Sequence, residues 1–166
     1  MGPKVFDLWV YYPQKGEPRY LLLHTSQEKA DKWFGSGRFW QIPGDFIKPH
    51  ESMIEGIRRH LDSLGLKARS VWACEYVYTI YNRRFDSIQI IPVFAAEVSS
   101  PKDIPLSWEH SEFGWFTAAE CMRRINFEGL KEGLRYTRRY VTEAKTRPKE
   151  LKILWSRKSA KGGLHA

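Results

Sequence analysis

Between Glu51 and Asp62 the chain gathers acids, bases and an imidazole into a stretch short enough to lie along one helix. Glu55, Arg59 and Asp62 stand at i, i+4 and i+7, a spacing that sets them on one helical face as an ion-pair ladder. His60 offers either an acid/base or ligand imidazole or a structural side chain on a half-buried face. His50 and His110 have no second histidine three or four residues away, so neither belongs to a one-helix metal pair. Arg19 and Arg38 are of the type that contacts phosphate, and equally of the type that solvates a surface. Trp9, Tyr20, Phe39 and Trp40 present faces on which a nucleobase can stack, although aromatics in strand patterns more often fill a core. Cys74 and Cys121 are too distant for a C-x-x-C site and too few for a disulfide framework, which predicts reduced core thiols.

These groups need elements to position them. Ser52 and Glu55 have the S-x-x-E spacing of a capping box, and Met53, Ile54, Ile57, Leu61 and Leu64 continue at helical period up to Gly65, predicting a helix over 53–64. Residues 4–12 and 19–25, separated by a Pro/Gly-rich turn, read as a β-hairpin or strand pair. Residues 26–34 are polar until Trp33 and Phe34, and Gly35-Ser36-Gly37 then reads as a loop. A short strand is expected over 39–42, stopping at Pro43-Gly44. Residues 71–81 and 87–98 read as two long strands across Asn82-Arg83-Arg84, with Pro92 marking an edge or a bulge. A short strand over 113–116, a helix opened by Thr117-x-x-Glu120, and a third helix over 128–144 complete the pattern. Strands, helix, strands, helices predict a mixed sheet with helices on both faces.

The 166 residues carry a formal net charge of +8, with a pI near 9.5. Residues 1–130 hold 16 basic and 16 acidic side chains, so the whole excess lies in the last 36 residues, with 11 basic against 3 acidic. With 42% hydrophobic and 14% aromatic residues the chain can build a core, and its length suits one domain. We expect a single domain over 1–146 and a basic tail over 147–166. The longest uncharged apolar run, from Ile88 to Ala96, is far short of the roughly 20 residues that span a bilayer, and the N-terminus lacks an apolar secretory region. A cytoplasmic protein is the expectation.

Trp40-Gln41-Ile42-Pro43-Gly44-Asp45, followed by Glu51 and by Arg58-Arg59-His60-Leu61, resembles the Nudix box of the Nudix hydrolase superfamily. That box reads G-x5-E-x7-R-E-U-x-E-E-x-G-U, with U apolar, and is usually introduced by P-G-G. Pro43-Gly44 matches the approach, and Asp45 stands at the first box glycine. Glu51 falls on the first glutamate, Arg59 on the arginine and Leu61 on the apolar position. His60 then occupies the place of the next glutamate, and Ser63 and Leu64 the places of the paired glutamates. Anchoring on Gly65 instead requires a one-residue deletion and puts Asp62 and Ser63 on the pair and Arg59 on the earlier glutamate. Either register leaves at most one of three carboxylates. Leu106 to Phe116, with its Glu109-His110 and Trp115, is similar to the strand entry of Nudix enzymes that act on nucleoside or dihydroneopterin triphosphates, and Arg38-Phe39-Trp40-Gln41 echoes the same group.

The resemblance implies an α/β/α sandwich with a mixed β-sheet between helices. It implies that Gly44, Glu51 and Arg59 are structural, with Glu51 and Arg59 joined by a salt bridge. Glu109 matches a loop glutamate that binds metal or acts as base, which makes Glu109 and Glu55 the catalytic candidates and Glu55, Asp62 and Glu109 the candidate ligands of Mg2+ or Mn2+. Arg19, Arg38 and Trp40 are the candidate substrate contacts. Phosphoanhydride hydrolysis needs a divalent metal and a carboxylate base. An imidazole, a hydroxyl and an isobutyl group at the three box positions do not make a hard-oxygen site. The implied function is therefore binding of a nucleoside-diphosphate-type compound with pyrophosphohydrolase activity weakened or lost, and no metal cofactor if catalysis is absent. The alternative is a non-catalytic module that binds RNA or an acidic protein through the basic C-terminal region.

Overall fold

The computed structural model describes residues 4–153. Eight strands, β1 (Val5–Tyr12), β2 (Arg19–Thr25), β3 (Trp40–Gln41), β4 (Gly44–Phe46), β5 (Ser70–Asn82), β6 (Ser87–Glu97), β7 (His110–Phe116) and β8 (Lys152–Ile153), form one sheet. The order is β3-β2-β1-β6-β5-β8, with β4 on β1 and β7 on β2. The β1–β6 pairing is parallel and the others are antiparallel, so the sheet is mixed as expected. Helices α1 (Gln27–Trp33), α2 (Met53–Ser63), α3 (Ala118–Arg124) and α4 (Glu128–Thr137) complete the chain.

Side chains alternate across a strand, and β1 uses both faces. Phe6, Leu8 and Val10 pack with Ile57 and Leu61 of α2 and with Leu64 at its C-cap. Trp9 and Tyr11 pack on the opposite face with Cys121 of α3, Leu130 and Leu134 of α4 and Val141. The sheet is therefore sandwiched between helices. Both thiols are free and buried in this second core, where burial pushes each up to about 12.

The strands β1 and β2 pair only near their connecting turn, at Tyr11 with Tyr20 and Tyr12 with Arg19. Beyond it they splay, and residues 40–46 fill the gap, β3 on β2 and then β4 on β1. The expected stop at Pro43-Gly44 is thus an interruption: a strand resumes at Gly44, which pairs with Asp7. A Cβ at Gly44 would lie 2.6 Å from the Phe6 carbonyl oxygen, so only glycine permits this approach. Pro92 lies in a central strand, opposite a bulge in β5 where Glu75 adopts φ 56°. The helix expected to reach 144 leaves α geometry at Thr137, whose hydroxyl donates to the Gly133 carbonyl at 2.7 Å, and residues 138–142 continue as a π turn. Residues 26–34, read as a polar stretch, hold α1, capped by Ser26 Oγ accepting from Lys29 N at 3.0 Å.

Within the segment expected as a tail, Arg147 packs on the body, donating to the Val141 carbonyl at 2.9 Å and facing Glu97 at 3.6 Å, and β8 pairs with β5 at Val71 and Trp72. The remainder of that segment, 154–166, lies outside the described residues. Among the described residues no helix is long and apolar enough to cross a membrane.

Candidate functional site

The loop 47–52 and the head of α2 are held by one guanidinium. Arg59 donates from Nε to Glu51 Oε2 at 2.8 Å and from Nη2 to Glu51 Oε1 at 2.9 Å, the two-pronged geometry in which Arg and carboxylate match. Its Nη1 reaches Asp45 Oδ2 at 2.8 Å and its Nη2 also donates to the Phe46 carbonyl at 2.9 Å. The same group holds Glu51 down at about 2. Burial works against the Asp45 carboxylate, but its interactions with His60 and Arg59 outweigh that and keep its pKa below the usual range. Gly56 lets this bracket close on the helix, since a Cβ there would meet Ile47 Cδ1 at 2.4 Å and Glu51 Oε1 at 3.1 Å.

Beside the bracket opens a cavity of about 440 Å³. The α2 face lining it presents His60, Ser63 and Leu64. His60 Nδ1 lies 3.6 Å from Asp45 Oδ2, and its Nε2 is buried without a partner among the described residues. The Ser63 hydroxyl is engaged by the His60 carbonyl at 2.6 Å, and Leu64 belongs to the core. Opposite stands Lys29 of α1, 7% exposed, with its Nζ 3.4 Å from Glu109 Oε1. Burial lowers the Lys29 pKa, Glu109 opposes the shift, and the Arg84 charge adds to it. Burial, then the Lys29 charge, pushes His110 down to about 3, so its imidazole is neutral at physiological pH.

The tip of the β5–β6 hairpin forms the remaining wall with Asn82, Arg83 and Arg84. Asn82 Oδ1 accepts from Arg84 N at 3.0 Å, which tightens the turn. The Arg84 guanidinium sits over the Trp33 ring at 4.1 Å and near the Phe85 ring at 4.9 Å, while Phe85 meets Phe46 edge-on at 5.6 Å. Trp33, Phe34, Phe46 and Leu106 supply apolar lining.

The candidates named from sequence are distributed unevenly around this cavity. Gly44 and Glu109 line it, and Glu51 and Arg59 form the bracket behind Asp45. Glu55 does not line it; its carboxylate accepts from Ser52 N at 2.7 Å and completes the capping box. Asp62 is exposed and also outside the lining. Arg38 donates to the Thr25 carbonyl at 2.9 Å and also contacts His24 and Ser111, and Trp40 stacks on His24 at 4.6 Å, both away from the cavity. Arg19 lies at the start of β2, its Nε buried without a partner among the described residues. The residues that sequence reasoning missed are Lys29, Trp33, Arg83 and Arg84. Only the two arginines carried a signal, as a paired cation at a hairpin turn.

A divalent metal, which the resemblance implies for catalysis, does not fit this donor set. Glu109 is engaged by Lys29 and Asp45 by Arg59, and among the described residues no three His, Cys, Asp or Glu side chains converge as a metal group. In the basic C-terminal stretch, Lys131, Arg135, Arg138 and Arg147 each face a glutamate in an ion pair, which reduces the charge left for a polyanion.

No family model matches the chain, and no curated protein sequence matches it. Solved structures do. A Listeria monocytogenes protein described as a Nudix hydrolase superposes with a TM-score of 0.73 at 16% identity, covering 89% of this chain and 99% of its own. The Nudix domain of Shewanella oneidensis NrtR, solved with ADP ribose, gives 0.66 at 16% identity over 86% of this chain and 90% of that one. The Escherichia coli dihydroneopterin triphosphate pyrophosphohydrolase gives 0.62 at 14% identity over 86% and 97%. The likeness establishes the fold: this is a Nudix α/β/α sandwich.

Proposed function

We propose that this Nudix-fold protein binds a nucleotide-type phosphoanhydride compound in the cavity between α2 and the β5–β6 tip, and that its capacity to hydrolyse the compound is weakened or lost. One observation carries the reading. The three box positions expected to bear carboxylates line the cavity as His60, Ser63 and Leu64, groups that do not suit a hard cation. The cavity is of a size for a mononucleotide-scale ligand, at the lower end of the range of about 300–1,000 Å³ for such sites. The ADP ribose in the Shewanella structure makes that compound a reasonable first probe.

Calorimetric titration and phosphate release, run on one preparation with ADP ribose and a nucleotide panel, test the reading. Binding without turnover in Mg2+ or Mn2+ is expected. Turnover at an ordinary enzymatic rate that disappears in Glu109→Gln would overturn the second half, and absence of binding to every probe would overturn the first. Two buried free thiols accord with a reducing compartment, and we place the protein in the cytoplasm on that ground.

A further inference from the structure

Arg83, Arg84 and Lys29 enter the cavity from elements outside the box, and their charges are not equally committed. Lys29 faces Glu109, and Asp45 faces Arg59. Each carboxylate of the lining is thereby ion-paired, with Arg59 shared between Asp45 and Glu51. Among the described residues neither Arg83 nor Arg84 has a carboxylate within ion-pair distance, so two cations at one wall remain uncompensated.

Resting on the nucleotide-binding reading above, we propose that Arg83 and Arg84, backed by Lys29, take over the charge-neutralising role of a divalent metal, so that this site holds its phosphate-bearing ligand without metal. The stacking of Arg84 supports direct use of its guanidinium. With a ring against its plane, at 4.1 Å from Trp33, the group has fewer orientations to lose, while its N–H edges stay available for phosphate oxygens. Trp33 is itself fixed by the edge of Trp108 at 5.3 Å, and Phe85 pins the tip to Phe46. The tip is therefore a positioned clamp. His60 and His110 line the same cavity, and the Nε2 of each is buried without a partner among the described residues.

The charge balance also sets a preference. Arg83 and Arg84 supply one guanidinium for each phosphate of a diphosphate diester, whereas a triphosphate adds a terminal phosphate of about 1.5 to 2 further charges for which the lining has, among the described residues, no further cation outside an ion pair. Glu109 acts against the ligand, since it competes for Lys29. Removing its charge strengthens anion binding, the opposite of what a metal-ligating glutamate would do.

The test is calorimetric titration of ADP ribose, ATP and AMP into the intact protein, in EDTA and in excess Mg2+, with Arg83→Gln, Arg84→Gln and Glu109→Gln alongside. ADP ribose should bind equally well in EDTA and Mg2+. Each arginine variant should raise its Kd about tenfold or more, as expected for loss of a charge-assisted hydrogen bond. Glu109→Gln should lower the Kd, and ATP in EDTA should bind more weakly than ADP ribose. Abolition of binding by EDTA, an unchanged Kd in both arginine variants, or weaker binding in Glu109→Gln would overturn this proposal and leave the nucleotide-binding reading intact. Failure of every probe with and without metal would remove both. Circular dichroism of the variants separates lost binding from lost folding, and the tip arginines are surface positions whose replacement leaves both cores untouched.

Discussion

Asp7 provides a test of the fold that bears on the site, because it is the β1 residue paired with Gly44 just before Asp45 enters the cavity wall. Its carboxylate is half-buried on the sheet face away from α2 and accepts a hydrogen bond from the Tyr78 hydroxyl. Burial raises its pKa from 3.8 to about 6, against the opposing hydrogen bond. A raised folded-state value means that the folded protein holds this proton after the unfolded chain has released it. The stability linked to Asp7 is complete below about pH 3.8, declines as pH rises toward 6, and is absent above it. At about 1.4 kcal/mol per pK unit, the loss across that window is about 3 kcal/mol, a large part of a typical domain's 5–15 kcal/mol. Asp7→Asn keeps an oxygen for Tyr78 and cannot ionise, but its amide hydrogens need partners in a tight site where a Cβ on Gly44 would already lie 2.9 Å from Oδ1. The variant should be about 1 kcal/mol less stable than the parent near pH 4 and about 2 kcal/mol more stable near pH 8. Urea unfolding followed by tryptophan fluorescence across that range gives the difference directly. A difference that does not vary with pH would refute the reasoning.

Leu61→Ala, at a 2% exposed position between α2 and the sheet, should cost about 2–5 kcal/mol in chemical unfolding. Gly44→Ala should lower stability by about 1–3 kcal/mol and weaken ADP ribose binding, because the added Cβ must push the Phe6 carbonyl away and tilt the Asp45 wall. The paired substitution His60→Glu and Ser63→Glu should tighten Mn2+ binding relative to the parent, measured by electron paramagnetic resonance.

The parts of this fold legible in the sequence are those set by local signals. Ser52, Glu55 and the apolar period to Leu64 mark α2 to within a residue, and its capping box forms as read. The β-branched and aromatic runs over residues 71–81 and 87–98 mark β5 and β6, and of the edge or bulge that Pro92 signals the structure shows the bulge, in the paired strand. What was hidden depends on distant partners. Helix α1 has Lys29 where a capping-box acid would stand, and its seven residues are too polar to show a period. Strand β4 exists because β1 and β2 splay, which nothing near Pro43-Gly44 reports.

The site divides the same way. The box spacing pairs Glu51 with Arg59, and the structure holds the two at 2.8 Å, while residues 60, 63 and 64 line the cavity. Glu55 and Asp62 share a helix with that face but lie on another side of it, and Arg83 and Arg84 reach the cavity only because Phe85 folds the hairpin tip onto Phe46. The basic excess that dominates the composition is partly consumed by glutamates along α4 and by Glu97.

A crystal structure of the protein grown with ADP ribose and Mn2+ together tests whether the cavity holds a diphosphate without metal. An intact diphosphate is expected between the face formed by His60, Ser63 and Leu64 and the hairpin tip, its oxygens within hydrogen-bond distance of Arg83 and Arg84, with no Mn2+ bridging it. A cleaved ligand, or Mn2+ held between the diphosphate and Glu55, Asp62 or Glu109, would contradict it.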